Sequence, residues 1–269
     1  MNKITRNIFI FLLGIGIISC SKVPITGRKQ LKLLPDNMIM EMGQSNYASF
    51  LKENPAVAPP TRQSAEVTAV GIRISHAVEK YMKDNGLGKK IEGYKWEFNV
   101  VNSKDVNAWC MPGGKVVVYT GILPLTKDDA GLAVVMGHEI AHAIADHGNE
   151  RMSQELAVQA AGLGLQVFMQ QKPQQTQQIF MSAFGVGSQL GILGYSRQHE
   201  LEADKLGLVF MAMAGYNPDR AISFWQEMSK LGGNKPPEFM STHPSDERRI
   251  AQIQAFMPEA KKYYVANPH

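Results

Sequence analysis

The sequence predicts an α+β fold that is mainly helical, with a small antiparallel sheet and one central helix. Apolar residues recur at helical spacing over residues 61–85 and again over 126–146. Two alternating segments, 94–101 and 115–120, lie on either side of a Pro-Gly-Gly turn and are typical of short strands. With 269 residues and 44% hydrophobic side chains, the chain can bury one sizeable core.

Two helices are predicted before the first strand. Residues 36–53 form the first helix, which ends at the proline-bounded segment 55–60. The second helix covers 61–85 and ends near Gly86 and Gly88. Its buried face is marked by apolar residues at near-helical spacing, namely Val67, Val70, Ile74, Val78 and Met82.

The central helix contains the most informative motif. His138, Glu139 and His142 spell H-E-x-x-H inside the apolar stretch 130–146. Two histidines at i and i+4 lie on one helical face and can ligate one metal ion, expected to be zinc, while the glutamate flanks the open coordination position. Thr126 is the expected N-cap, with acidic residues in the first turn. A pair of core histidines is the alternative, but it would bury the glutamate without a partner.

The third metal ligand is expected on a second helix, because a catalytic zinc usually takes three protein ligands and leaves the fourth position to water. This helix begins at Ser196 and ends at Gly215. Glu200 and Asp204 share a face, whereas Glu202 is turned about 200° from Glu200. We assign Glu200 as the ligand, because Asp204 can then accept the free ring N–H of a ligating histidine. Glu202 is expected in solvent.

Two further histidines are expected to lie away from the metal. His147 is five residues past His142 and off its face, and His199 is turned about 100° from Glu200. Neither is assigned a role.

The motifs together resemble a known family. H-E-x-x-H followed by a helix with E-x-x-A-D is similar to the gluzincin metallopeptidases, specifically the family of HtpX, mitochondrial Oma and the Ste-type CAAX proteases. Three further stretches agree with it: 107–121, 196–197, and 241–244 together with Arg249. The resemblance spans about residues 66–255 and implies a zincin-like helical domain.

The resemblance implies a zinc endopeptidase with one zinc ion per chain. His138, His142 and Glu200 would hold the ion, which activates a water molecule and polarises the scissile carbonyl group. Glu139 would take the water proton and later pass it to the leaving amine.

The resemblance also places His243 near the zinc, in a loop. We expect it either to stabilise the oxyanion or to occupy the open position of the metal in a resting form. Arg249 would hold the same loop or the substrate carbonyl group. A helix-capping histidine and a structural arginine are the alternatives.

Asn107, Ala108 and Trp109 precede the Pro-Gly-Gly turn. In gluzincins such a strand edge near the zinc binds extended substrate, through main-chain hydrogen bonds that depend little on side chains. We therefore expect these residues to form a substrate edge. A plain hairpin arm is the alternative.

Between the two metal helices, residues 156–169 and 179–195 are apolar and Gly-rich, and the segment 170–178 that joins them is Gln-rich. Polar residues interrupt both apolar runs, so neither is expected to span a membrane. We predict a packed helical hairpin beside the active site. A membrane-facing or substrate-gating lid is the alternative.

The N-terminus predicts a lipoprotein signal peptide. Lys3 and Arg6 precede an apolar run of 11 residues, 8–18, which is too short to span a bilayer as a stable helix. A lipobox, residues 17–20, ends in Cys20, the expected site of lipidation. An ordinary cleaved secretory peptide and an uncleaved short anchor are the alternatives.

Cysteine usage excludes an intramolecular disulfide. Of the two cysteines, only Cys110 remains once Cys20 is acylated. We expect Cys110 to be a buried structural thiol rather than a ligand or nucleophile.

Four parts of the chain are predicted: a signal peptide over 1–19, a lipid-anchored tether and helix over 20–60, the zinc metallopeptidase domain over 61–257, and a C-terminal tail over 258–269. The formal charge of +4 falls to +2 when the two basic residues of the signal peptide are lost. No Lys/Arg-rich run or aromatic stacking motif occurs, so nucleic acid is not an expected partner.

These expectations combine into a zinc endopeptidase of the bacterial cell envelope. It would be anchored by lipid to the outer membrane, face the periplasm, and act on polypeptides in quality control of membrane or envelope proteins. A zinc-bound chaperone or assembly factor is an alternative, although an intact Glu139 argues against it. A hydrolase of non-peptide bonds is a third possibility.

Overall fold

A computed structural model of the protein describes the following residues: 20–58, 61–160, 164–185, 196–231, 239–240, 243 and 247–266. The predicted signal peptide, 1–19, lies outside them. Among the helices in these ranges, none is both long enough and apolar enough to cross a membrane.

The described chain begins with a short hairpin. Strands β1, Cys20–Lys22, and β2, Lys29–Leu31, pair antiparallel, and helix α1, Asp36–Glu53, follows with the predicted bounds. The segment predicted as a tether is instead packed onto the rest of the protein, because Val23 and Leu34 are buried in its core.

Helix α2, Arg62–Asp84, agrees with the prediction for this segment. Its N-cap Thr61 forms a capping box with Ser64, in which each side chain accepts a hydrogen bond from the other residue's backbone N–H. A 3-10 turn, Gly88–Ile91, leads from the helix to the sheet.

The sheet has three strands, β3, Glu97–Val101, β4, Ala108–Met111, and β5, Lys115–Tyr119, in the order β3-β5-β4. A tight turn containing Gly113 and Gly114, both with positive φ, joins β4 and β5, so these two strands pair antiparallel as predicted. In contrast to the prediction, β3 and β5 run parallel, because the chain crosses to the far side of the sheet before β4 begins.

The sheet is covered on both faces. Val116 and Val118 of β5 belong to a core formed with α2 and the central helix, while Val117 and Tyr119 belong to a second core formed with α1. Burial on both sides explains why β5 is apolar at successive positions.

Two helices follow the sheet, α3, Leu123–Thr126, and the central helix α4, Asp129–Ile144. The N-cap of α4 is Asp128, whose carboxylate accepts a 2.6 Å hydrogen bond from the first turn. The prediction of Thr126 as N-cap was wrong, because Thr126 ends α3. Lys127, with a φ of 63°, separates the two helices.

Three helices occupy the segment after the motif: α5, His147–Gln159, α6, Leu165–Gln171, and α7, Pro173–Ala183. Helices α5 and α7 pack together through Leu156 and Phe180 in the second core. The second arm of the predicted hairpin ran to residue 195, and its last ten residues lie outside the described part of the chain.

The last three described helices are α8, Arg197–Met213, α9, Arg220–Lys230, and α10, Glu247–Lys261. Ser196 caps α8, as its predicted start requires. Helix α10 continues through Pro258, so the predicted tail from residue 258 is in part helical and packed against the core.

Helices α4 and α8 cross at two glycines. A Cβ atom added to Gly207 would lie 3.0 Å from the backbone carbon of Gly137 and 3.0 Å from the backbone nitrogen of His138. The absence of side chains at these positions lets the helix with the H-E-x-x-H motif approach the helix with Glu200 closely.

Candidate metal centre

The two histidines of the motif face the same point in the protein interior. The Nε2 atoms of His138 and His142 lie 3.0 Å apart, and both side chains are buried. One turn of α4 separates them, which places their rings on one helical face.

Glu200 on α8 and His243 complete the group. Glu200 Oε1 lies 3.3 Å from His142 Nε2, and Glu200 Oε2 lies 3.5 Å from His138 Nε2. His243 Nδ1 lies 3.1 Å from His138 Nε2. These four buried residues, the donor group, offer ligand atoms that all lie within 4.8 Å of one another.

The donor group fits a zinc ion. Three imidazole nitrogens and one carboxylate oxygen are ligands that zinc prefers, and ligands about 2 Å from a tetrahedral ion are themselves about 3.3 Å apart. The separations of 3.0 to 3.5 Å between the donor atoms named above are close to that value. Burying three histidines and a glutamate costs free energy, which is hard to explain for a group that has no function.

Asp204 holds His138 from behind, as the helical spacing predicted. Its Oδ1 lies 3.0 Å from His138 Nδ1, which leaves Nε2 facing the donor group. Arg249 binds Asp204 through two hydrogen bonds of 2.7 Å. Burial raises the pKa of Asp204, but Arg249 and His138 outweigh it and lower the pKa below its ordinary value.

Arg249 connects three parts of the site. Its Nη1 lies 2.8 Å from Glu200 Oε2 and donates a hydrogen bond to the backbone carbonyl of His243 at 3.3 Å. Its guanidinium lies over the ring of Trp225, with Cζ 3.5 Å from the ring centroid. Arg249 thus contacts Glu200, His243 and Trp225 at once; its expected role in holding a loop or the substrate stays a prediction.

Glu139 lies beside the donor group and is buried. Its Oε1 is 3.4 Å from Nε2 of His243. Burial, assisted by the nearby carboxylate of Glu200, raises the pKa of Glu139 to about 7, and the guanidinium of Arg249 opposes that shift. A carboxylate with this pKa can take up and release a proton near neutral pH.

The histidine His147 and the acid Glu202 are also part of the site, contrary to the sequence analysis. His147 Nδ1 lies 2.9 Å from Nδ1 of His142, and His147 Nε2 lies 3.0 Å from Oε2 of Glu202. Glu202 was expected in solvent but is fully buried. It does point away from the donor group, but the hairpin β1–β2 covers that side of α8.

Arg28, in the hairpin, neutralises two buried glutamates. It contacts Glu150 at 2.6 and 2.7 Å and Glu202 at 2.9 and 3.0 Å. Glu150 also lies 3.0 Å from Nε2 of His199, whose ring stacks on His147. Although burial raises the pKa of each glutamate, hydrogen bonds from Arg28 and from the histidines lower both pKa values to about 2.

No pattern in the sequence pointed to this second layer. Arg28 is 122 residues from Glu150 and 174 from Glu202, so the contact depends on the tertiary fold. The spacing of five residues between His142 and His147 was the one local indication, because a single turn between α4 and α5 brings the two rings together.

The predicted substrate edge lies at the edge of the sheet and packs against α4. Its three residues, Asn107, Ala108 and Trp109, are nonetheless buried. Helix α1 packs on the face that carries Trp109, with Tyr47 and Phe50 in edge-to-face contact with its ring, whereas Ala108 belongs to the core on the opposite face. The strand is thus at the edge of the sheet, with side chains packed on both of its faces.

Cys110 is buried, as expected, in the core between the sheet and α4. Burial raises the pKa of its thiol above the ordinary value. A protonated thiol in apolar surroundings is neither a good nucleophile nor a good metal ligand.

Comparison with known proteins identifies the family. The sequence profile of peptidase family M48 matches residues 72–257 of this chain. The match includes the whole donor group but begins after Arg28.

Two of the similar proteins are mitochondrial metalloendopeptidases, and a third is a bacterial protease. Mitochondrial metalloendopeptidase OMA1 of Arabidopsis thaliana is 39% identical over 194 residues, which cover 71% of this chain and 38% of that protein. The protein of the same name from Schizosaccharomyces pombe is 31% identical over 252 residues, covering 89% of this chain and 67% of the relative. The beta-barrel assembly-enhancing protease of Escherichia coli strain K12 is 25% identical over 181 residues, covering 63% of this chain and 37% of the relative.

Proposed function

This chain belongs to peptidase family M48, and from that membership we propose that it is a zinc-dependent endopeptidase. The observation that carries the proposal is the buried group of His138, His142 and Glu200, with Glu139 beside it. The adjacent glutamate is what suits a catalytic zinc, because a structural zinc has no need of a base, and the fourth donor, His243, is assigned a separate role below.

Glu139 is the proposed general base and acid. A bound zinc ion supplies Lewis acidity, which activates water as a nucleophile and polarises the scissile carbonyl group. The carboxylate of Glu139 takes the proton of the attacking water and later passes it to the leaving amine. Its buried position beside the donor group, with Oε1 3.4 Å from His243 Nε2, suits both transfers.

His243 is proposed to restrain the enzyme in the conformation described. Its Nδ1 lies among the donor atoms of the other three residues, which supports the resting form over oxyanion stabilisation. Substrate access then requires His243 to move away, and Arg249 would hold the loop in either position.

The proposed substrate is an extended polypeptide bound along β4. Main-chain hydrogen bonds to an edge strand bind a peptide with little regard for its side chains. Helix α1 packs on the Trp109 face of β4, so the peptide would add along the outer edge of the strand. The position of His243 among the donor atoms suits a protease that must not attack its neighbours.

We place this activity in a bacterial envelope, with Cys20 as the lipid anchor. The support is the sequence of the N-terminus, in which an apolar run of 11 residues ends in a lipobox. Quality control of membrane or envelope proteins is the proposed role, which accords with the name of the Escherichia coli relative, a beta-barrel assembly-enhancing protease.

The exchange Glu139→Gln tests the enzymatic part of the proposal. It should retain zinc and reduce digestion of unfolded casein by about 10²-fold to 10⁴-fold, because the base is lost while the ligands remain. The exposed Glu92 supplies a matched control, Glu92→Gln, which should behave as wild type. If zinc-loaded wild-type protein and His243→Ala both leave casein intact, the protein is a zinc-bound chaperone or assembly factor and not a peptidase.

A further inference from the structure

We propose that Arg28 and Glu202 act through His147 as positioning residues for the metal ligand His142. The three residues form an unbroken chain of contacts from the N-terminal hairpin to the donor group. The inference deepens the proposed function and rests on the zinc site that it assigns.

The chain fixes which nitrogen of His142 is free to bind a metal ion. The carboxylate of Glu202 can only accept a hydrogen bond, so Nε2 of His147 must donate to it at 3.0 Å. In a neutral imidazole the other nitrogen is an acceptor, so Nδ1 of His147 accepts from Nδ1 of His142 at 2.9 Å. The remaining lone pair of His142 is then on Nε2, the atom that faces His138 and Glu200.

His142 is thus supported by a buried carboxylate, as His138 is, but through a longer chain of contacts. Asp204 contacts His138 directly, at 3.0 Å, whereas Glu202 reaches His142 with one imidazole between them. Both arrangements hold a ligand in one tautomer and raise its basicity through a buried carboxylate.

Arg28 allows Glu202 to be buried as a carboxylate. Two nitrogens of the guanidinium donate to Glu202, and Thr26 Oγ1 donates to the same carboxylate at 2.9 Å. Without these donors the buried carboxylate would lack most of its hydrogen-bond partners, which is costly. Both donors come from the hairpin, which precedes residues 72–257 matched by the family profile.

A purely structural role for this network is the competing explanation, and Glu150 allows the two to be separated. Glu150 shares Arg28 with Glu202 and has its own histidine, His199. Losing either carboxylate charge should loosen the hairpin to a similar degree, but the chain through Glu202 is the one that ends at His142.

The first measurement is the rate at which the full chain releases zinc to an excess of a chelator. Thermal melting of the metal-free protein is measured alongside it. Glu202→Gln should release zinc about 10-fold to 100-fold faster than wild type, the usual effect of losing such a partner of a ligand. Glutamine has an acceptor oxygen in place of one carboxylate oxygen but a donor nitrogen in place of the other. It therefore cannot accept hydrogen bonds from Arg28 and His147 on two separate atoms. Arg28→Met should act in the same direction, and Arg28→Lys less. Glu150→Gln is the matched control, expected close to wild type in zinc release.

Exchanges at His147 distinguish positioning from packing. His147→Gln keeps an acceptor for His142 and a donor for Glu202, whereas His147→Leu keeps neither. In cobalt-substituted protein, His147→Leu should alter the visible d–d absorption, because a ligand has changed its orientation, and His147→Gln should restore most of the wild-type spectrum.

Two results would overturn the proposal. One is wild-type zinc release and cobalt absorption in both Glu202→Gln and His147→Leu. The other is equally fast release from Glu150→Gln and Glu202→Gln at equal melting temperatures, which would mean general loosening. Neither measurement uses proteolysis, so a protein that binds zinc in this way but cleaves nothing would refute the proposed activity and leave this inference intact.

Discussion

His243 Nδ1 lies 3.0 Å from Oε1 of Glu200, which brings the loop before α10 into contact with the metal-binding face of α8. Three donors suffice for a catalytic zinc. On the function proposed above, a fourth donor in their midst, itself buried, would occupy the space in which water and substrate must meet. The arrangement predicts that the enzyme as described is restrained.

We expect His243→Ala to retain zinc and to raise basal cleavage of an unfolded substrate, because the three remaining donors still hold the ion and the fourth position becomes free. Casein digestion and metal content, measured on the same preparation, test this. His76→Ala, which changes an exposed histidine of α2, is the control and should change neither.

The opposite result has an equally definite meaning. A loss of turnover of about 10²-fold to 10³-fold with normal zinc would show that His243 stabilises the oxyanion. Activity within about twofold of wild type would leave His243 as a loop residue, since removal of one oxyanion donor costs far more than that.

The two glutamates of α8 should differ sharply in metal binding. Glu200→Ala removes the carboxylate ligand and should weaken zinc binding far more than Glu202→Ala, which removes a group two contacts away from the donor group. Zinc stoichiometry after dialysis compares them. A metal-free Glu202→Ala beside a zinc-loaded Glu200→Ala would mean that the ligand assignment is wrong by half a helical turn.

Local spacing was sufficient to predict much of the fold and the inner part of the site. The proline-bounded segment 55–60 marked the end of α1, Asp36–Glu53, correctly, and the i and i+4 rule placed Glu200 and Asp204 on one face. These predictions succeed because each depends on residues less than two helical turns apart.

The outer part of the site could not be predicted in this way. Arg28 meets Glu202 across 174 positions, and periodicity says nothing about which surface the hairpin covers. The helical wheel placed Glu202 opposite the metal, which is correct, but it was wrong to equate that direction with solvent. The parallel pairing of β3 with β5 was missed for the same reason, since strand order is a tertiary property.

Cys20→Ser should block lipidation and release or mislocalise the protein. The apolar run of 11 residues is too short to hold it in a bilayer as a stable spanning helix. Labelling of cells with a fatty-acid analogue, followed by fractionation, compares the variant with wild type. Cys110→Ser is the matched control and should still take up label. Wild-type protein without label, and with Cys20 detected as a free thiol, would defeat the lipoprotein proposal.

The last prediction concerns acid stability and the carboxylate of Glu150. In the folded protein its pKa is about 2, below the ordinary value of 4.5, so the folded state binds this proton less readily than the unfolded state does. The stabilisation from Arg28 and His199 is therefore present above pH 4.5 and is lost as the pH falls toward about 2.

In Glu150→Gln there is no such titration. We expect metal-free wild-type protein to melt at a higher temperature than metal-free Glu150→Gln at neutral pH, and the difference to shrink over this acidic range. Metal-free samples keep the release of zinc in acid out of the comparison. A difference that stays constant from neutral pH into acid would show that Glu150 contributes through packing alone and that its charge pair with Arg28 does not stabilise the hairpin.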